Sequence, residues 1–367
     1  MSLSIPLIKP SIYNHDLLLR IGEILQSGIL TKGPYVKEFA AQLALRVNAL
    51  SCHTTTSATT ALYSALVGIG IKPGDEVIVS DFSYPATANV VVHSGAIPVF
   101  ADVSIETFNA SAASIESVIT PRTKAVIFVD AFGNPSGLPE VLDICRKYSI
   151  PLIEDAACAL GSSISNYPCG SIADITCFSF HPRKVLTTGG EGGAICTNNP
   201  DFQSRLDVLL NHGGVLDPTL AEITFIEPGF NFRMTEIQAA IGLYALQDID
   251  ATIDVRNRIL ETYKQLLPQD IFVPQLIHSE VAYNAQSIVF RMPSKDLRDR
   301  LITHLRQHSI ESTIGTYSLS SQPYYAVNHP SMCPSSCHLY HSTITLPCYD
   351  GLCIGRVIDT ISSWSSQ

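Results

Sequence analysis

The chain has 367 residues, 46% of them apolar and 15% charged, and a formal net charge of −10. That length and composition suit two packed domains and exclude a disordered or fibrous chain. The negative charge argues against nucleic acid as a partner, because backbone phosphates would be repelled, although local backbone dipoles still let an acidic protein hold one small phosphate.

No stretch reaches the roughly 18 uninterrupted apolar residues of a membrane span. The opening MSLSIPLIKPSIYNH lacks the basic start and apolar run of a secretory signal, so the expected location is the cytoplasm. In that setting ten cysteines read as reduced thiols. Cys333, Cys337, Cys348 and Cys353, with His338 and His341, invite a zinc reading. They lack the tight paired spacing of a structural zinc motif, and ordinary thiols with no metal are the expectation.

Val36 to Leu45 and Thr59 to Gly70 read as helices. Glu76 to Ser80 reads as a strand, Ala86 to Ser94 as a helix and Ile97 to Ala101 as a strand. Lys124 to Val129, Ile150 to Glu154 and Ala173 to Cys177 are strand-length apolar runs, with a helical pattern over Leu138 to Tyr148. This rhythm predicts crossover units in an α/β fold with a mainly parallel sheet flanked by helices. Runs such as AVIFV need no polar alternation if both faces are buried. From Met234 the pattern changes to long helices reaching Leu266. A strand at Ser287 to Met292 and a helix at Ser294 to His308 follow. The expected division is a large α/β domain over 1–248 and a smaller C-terminal α+β domain over 249–367.

Ligands of open α/β sheets bind beyond the carboxyl ends of the strands, and two segments deliver chemistry there. IPLIED ends in Asp155, followed by Ala156 and Ala157, and ADITCFSF runs into HPRK and the glycine-rich TTGGEGG. Alone, Asp155 could be a helix cap and Lys184 a solvated surface charge. Together they are what pyridoxal 5′-phosphate requires, a carboxylate for the ring nitrogen and an amine for a Schiff base.

SGILTKGPYVKEFA, GIKPGDEVIVSDFSYPATAN, SGAIPVFADV, PRTKAVIFVDAFGNPSG, PLIEDAACALGS, CFSFHPRK, GEGGAICTN, NHGG and GFNFRMTEIQAAIG follow one another along the chain. In that order and approximate spacing, nearly the whole chain resembles the nucleotide-sugar aminotransferases of the DegT/DnrJ family. The resemblance implies the aspartate-aminotransferase fold, with Lys184 and Asp155 as catalytic residues that also hold the cofactor. It implies Tyr84 on one face of the ring and Ala157 on the other. Ser179 and the turn carrying Ala58 and Thr59 would hold the phosphate. Asn231 would reach the phosphate of the other subunit of a homodimer whose active sites are shared. Glu191 and His212 would shape the site.

This chain departs from the family at four places. Ala58 replaces a usual glycine, which requires a turn without positive φ. Cys158 stands where a glutamine usually contacts the ring hydroxyl, and a thiol is a weaker donor. One extra residue separates Lys184 from Glu191, with Gly189 and Gly190 to absorb it, and Ser320 stands where histidine is frequent.

The implied activity is transfer of an amino group from an amino acid, by resemblance glutamate, to a keto-sugar nucleotide in amino-sugar biosynthesis. The alternatives are a sugar dehydratase of the same family, whose members carry histidine at the Lys184 position, and a non-catalytic binding or sensor protein. Phe230 and Phe232, flanking Asn231, either meet a partner subunit or fold back onto their own chain.

Overall fold

A computed structural model describes residues 4–12, 14–219 and 222–365. Its central sheet has seven strands, in the order Ser51–Thr55, Gly193–Thr197, Ile175–Ser179, Leu152–Asp155, Thr123–Val129, Glu76–Ser80 and Ile97–Ala101. The five strands from Ile175–Ser179 to Ile97–Ala101 are parallel; Gly193–Thr197 runs against both neighbours. The sheet is therefore mainly parallel, as its sequence rhythm predicts. Val77 to Val79 and Ala125 to Phe128 are fully buried, which explains why those strands carry no polar alternation.

Two predicted strands and one helix, Glu76–Ser80, Ile97–Ala101 and Leu138–Tyr148, match the structure residue for residue. Two others start two residues later than their sequence pattern suggests. Pro151 has no amide to give the ladder, so its strand starts at Leu152 and includes Asp155. The next strand is Ile175–Ser179, so Ser179 closes a strand instead of lying beyond one. This shift aligns Asp155 with Cys177 across the sheet.

A second sheet, wholly antiparallel, runs in the order Val273–Pro274, Ile288–Arg291, Thr343–Leu346, Thr313–Ile314. Its core gathers Tyr263, Phe290, Leu301 and Ile361, and Ile5 from the start of the chain joins them. Ile5 forms a parallel bridge with Ile310, and Cys348 N donates to Leu7 O. We propose that the division between the two units falls at 248/249, where the helix Glu236–Gln247 gives way to Ile249–Leu266, with the N-terminal residues packing on the second unit.

The two regions are laced together around Asp81. The short strand Tyr317–Ser318 pairs with Phe82–Ser83. Ser318 Oγ donates to Asp81 Oδ2 at 2.8 Å, Ser320 N to Oδ1 at 2.6 Å and Leu319 N to the Asp81 carbonyl at 2.9 Å. Ser320, the departure from the family's frequent histidine, is buried in this latch.

A second long-range tie fixes the N-terminal helices. Helix Pro34–Arg46 starts at Gly33 with no side-chain cap of its own. Buried Glu236, in the first turn of helix Glu236–Gln247, supplies one. It accepts from Gly33 N at 2.9 Å, Tyr35 N at 2.9 Å and Val36 N at 3.2 Å. Removing this carboxylate strands three backbone donors at a helix N-terminus. Glu236→Ala should therefore cost about 2–4 kcal/mol by denaturant unfolding, and a loss within error of zero would show that water replaces the cap.

Candidate active site

Asp155 ends its strand at the carboxyl edge of the sheet and is only 5% exposed. Its Oδ2 accepts from Thr87 Oγ1 at 2.8 Å and its Oδ1 from Ala157 N at 3.3 Å. Because the Thr87 proton is committed to Asp155, the 2.8 Å contact between Ser83 and Thr87 has the Ser83 hydroxyl as donor. Burial pushes the Asp155 carboxyl up from its usual value, while Thr87, the Ala157 amide and the nearby Lys184 ammonium pull it back. Among the described residues no cation is in hydrogen-bond contact with it, so this buried carboxylate lacks a counter-charge of its own.

Lys184 lies just past the neighbouring strand, in a turn closed by its amide on His181 O at 2.8 Å. Its Nζ donates to Cys158 Sγ at 3.1 Å. The peptide groups on both sides of it are bonded by one side chain: Gln286 Oε1 accepts from Val185 N at 2.7 Å, and its Nε2 donates to Arg183 O at 2.6 Å.

The predicted phosphate end lies at helix Ala58–Gly68. Ser57 caps it in a reciprocal box with Thr60, and the Ser57 carbonyl takes Ala61 N. The amides of Ala58 and Thr59 are left directed at the open helix end, where the dipole favours an anion. Ala58 is not among the residues with positive φ, so the alanine is accommodated without strain. The glycine requirement falls instead on Gly193, where a Cβ would lie 2.4 Å from Ser57 C and 2.6 Å from Ala58 N. Ser179 pairs with Gly193 across the ladder, and its Oγ accepts from His181 N at 3.4 Å.

Tyr84 follows the strand Phe82–Ser83 and is 68% exposed, its ring set edge-on to Tyr317 at 6.4 Å. Half-buried Ala157 begins the turn after Asp155. Asn231 is exposed. The rings of Phe230 and Phe232 stack on each other at 4.7 Å and Phe230 meets Tyr63 at 5.4 Å, so part of their apolar surface is covered within the chain. Phe232 O accepts from Thr56 N at 3.0 Å, fastening this loop beside the Ser57 turn. His212, at φ 60, is tied to Phe230 O by its amide. Glu191 is exposed, with its carbonyl taken by Thr188 and Gln238.

Thr87, Ser83, Gln286 and Asn284 were not among the sequence-predicted site residues. Thr87 sits three positions after Tyr84 in SYPAT, one helical turn along, and that spacing was the available signal. Nothing local marks Gln286.

Behind Asp155 lie two more buried acids. Asp130 and Glu154, with Cys169, form the one cluster of ligand-type groups at metal-binding spacing among the described residues. Both Asp130 oxygens and Glu154 Oε1 lack a partner, whereas Glu154 Oε2 accepts from Gly170 N and Thr176 Oγ1. Two fully buried carboxylates with oxygens within 4.8 Å of one another repel too strongly for both to stay ionised, so the pair retains a proton. Burial, then Glu154, hold Asp130 well above the ordinary carboxyl value, with Asp155 and Cys158 adding to the effect. The C-terminal thiols are not assembled: Cys333 is in the main core and Cys348 in that of the second sheet.

A lysine and a buried acid at the edge of a sheet of this topology, with a free helix N-terminus nearby, belong to the pyridoxal-phosphate-dependent transferases of the aspartate-aminotransferase-like fold. Comparison with known proteins narrows the class. The DegT/DnrJ/EryC1/StrS aminotransferase family profile matches residues 12–363, and the chain belongs to that family. A GDP-perosamine synthase of Caulobacter vibrioides is 41% identical over 239 residues, 65% of this chain and 63% of that protein. A UDP-N-acetyl-3-dehydro-α-D-glucosamine 3-aminotransferase of Acidithiobacillus ferrooxidans is 33% identical, covering 92% of this chain and 89% of its own. The Streptococcus pneumoniae protein Spr1654, solved in a PMP form, superposes with a TM-score of 0.93 at 27% identity over 99% of both chains.

The residues present fit the cofactor of this family. Asp155 offers a buried carboxylate without a cation, Lys184 an amine and the Ala58 turn two unengaged amides.

The shared proton has a pH signature. A carboxyl held above its ordinary value keeps its proton in the folded state and releases it on unfolding. Stability therefore falls as pH climbs from the ordinary carboxyl range toward the raised value. Asp130→Asn keeps the shape and supplies a permanent donor to Glu154. Between about pH 5 and 8 its melting temperature should fall less than that of wild type, with a gain of about 2 °C at the upper end. Parallel melting curves would refute the shared proton.

Proposed function

We propose that this protein transfers an amino group from an amino acid, glutamate by family resemblance, to a keto-sugar carried on a nucleotide, with Lys184 as covalent anchor and proton carrier. The observation that carries the reading is Lys184 Nζ resting on Cys158 Sγ, on the loop that follows the strand paired with the Asp155 strand. The relatives named for GDP- and UDP-linked sugars support a sugar-nucleotide acceptor. Lysine, where dehydratase relatives have histidine, favours amino transfer over dehydration. Ten free thiols suit a reducing, cytoplasmic compartment.

When bound, pyridoxal phosphate stores the amino group between the two half-reactions and withdraws electrons from the carbon that loses a proton. Asp155, held by Thr87 and the Ala157 amide, would keep a proton on the ring nitrogen, because a carboxylate beside a cation favours the charged pair. Lys184 Nζ would act as general base and acid, carrying the proton between the donor Cα and the cofactor. The Ala58 and Thr59 amides and Ser179 Oγ would hold the phosphate. Tyr84 would cover one face of the ring and Ala157 the other. Cys158 Sγ, already bonded to Lys184 Nζ, is a weak donor toward the ring hydroxyl.

Borohydride reduction followed by peptide mapping should leave the pyridoxyl mass on Lys184; a label on another lysine overturns the assignment. Asp155→Asn should retain cofactor and lose on the order of a hundredfold or more in turnover, while near-normal activity would mean another group faces the ring nitrogen.

We further propose a homodimer in which Asn231 of the partner subunit completes the phosphate site. Lys184→Ala and Asn231→Asp homodimers should each be nearly inactive, the second because a carboxylate would face the phosphate. In a coexpressed heterodimer one site carries both changes and the other neither, so activity should recover toward half of wild type per dimer. No recovery in a verified heterodimer would assign Asn231 to its own chain's site, beside which Thr56 N already holds its loop.

A further inference from the structure

We propose that Gln286, braced by Asn284, is the positioning residue that sets where the Lys184 amine stands. The inference rests on Lys184 being the cofactor lysine.

Gln286 is 3% exposed and comes from the C-terminal part of the chain, just before the strand Ile288–Arg291. Its amide spans Lys184: it accepts from the residue after it, Val185, and donates to the carbonyl of the residue before it, Arg183. Only a side chain with an acceptor and a donor on one planar group can satisfy both peptides together. The main chain of Gln286 is anchored in turn, with its amide on Asn284 Oδ1 at 2.9 Å and its carbonyl receiving Arg256 Nη1 at 2.9 Å.

Asn284 does the same for the opposite wall. Its Nδ2 donates to Cys158 O at 2.8 Å and Leu160 O at 3.0 Å, and its amide donates to Ser162 Oγ at 3.1 Å. Lys184 and Cys158, whose side chains meet at 3.1 Å, therefore hang from one three-residue segment. Ala285 between them takes φ 49, a left-handed conformation that alanine rarely adopts, and its side chain is fully buried. The approach is close: a Cβ on Gly133 would stand 2.1 Å from Asn284 Oδ1, and Gly133 is itself at φ 98. This segment has nowhere to relax, so its two amide side chains fix the height and direction of both loops.

The test uses the cofactor-loaded full chain. Gln286→Leu removes both bonds at similar volume, and Gln286→Glu keeps the acceptor but presents a second oxygen to the Arg183 carbonyl. Gln286→Leu should still carry the borohydride label on Lys184, with the pH midpoint of the visible absorption of the lysine-bound cofactor displaced. Its kcat should fall on the order of tenfold while KM for donor and acceptor stays within about twofold. Gln286→Glu should approach wild-type kcat as pH falls, because a protonated carboxyl can again donate to Arg183 O. If Gln286→Leu fails to fold, this pH-dependent rescue alone decides the matter. A label on Lys184 with unchanged midpoint and kcat in Gln286→Leu, or no low-pH rescue in Gln286→Glu, overturns the positioning role. A wild-type label on another lysine instead overturns the proposed function, and this inference with it.

Discussion

The structure turns on a buried carboxylate without a counter-ion. Asp155 ends a strand enclosed on both faces, where an isolated negative charge is costly and a bound cation correspondingly well held. The relay from Ser83 through Thr87 and the amide of Ala157 hold its oxygens in place without neutralising them. A lysine in hydrogen-bond contact would quench the charge. Lys184 Nζ instead rests on Cys158, near enough to exert a field on Asp155 but bonded elsewhere. The carboxylate and the amine are thereby kept as separate tools, as the proposed ring-nitrogen and anchoring roles require.

The acids behind Asp155 show how the fold protects that arrangement. Three carboxyls, on Asp130, Glu154 and Asp155, crowd two adjacent strand ends, and three negative charges there would repel strongly. Neutralising the rear pair with one shared proton confines the group's chemistry to the front. Cys169, buried against the pair and raised by the same surroundings, stays a neutral thiol.

The two parts of the chain share apolar cores, with Leu319 and Tyr325 in one and Val289 and Leu339 in another, and directed hydrogen bonds join them at this edge. The Asp81 latch brings Tyr317 beside Tyr84, and the Asn284–Gln286 segment grips the loops of Cys158 and Lys184. Both ties come from beyond residue 248, so the placing of these loops depends on how the C-terminal part is seated. Hydrogen bonds suit that task because they fix direction as well as distance.

Much of this was legible in the sequence. Apolar runs without alternation announced a buried parallel sheet, and the rhythm of helices and strands placed IPLIED and CFSFHPRK at its carboxyl edge. The motifs in their order carried the family and its cofactor. What sequence could not supply were partners brought together by the crossovers. Thr87 bonds Asp155 from 68 positions away, Gln286 reaches Val185 across 101 and Ser320 reaches Asp81 across 239. The strands that end at Asp155 and Ser179 each start two residues later than the local apolar pattern suggests, because ladder pairing sets register. Local sequence determines periodicity and which chemical groups exist. Which of those groups share a proton, a cap or a loop is decided only when the sheet closes and water is excluded, because every buried polar atom must then find its partner wherever the fold has put one.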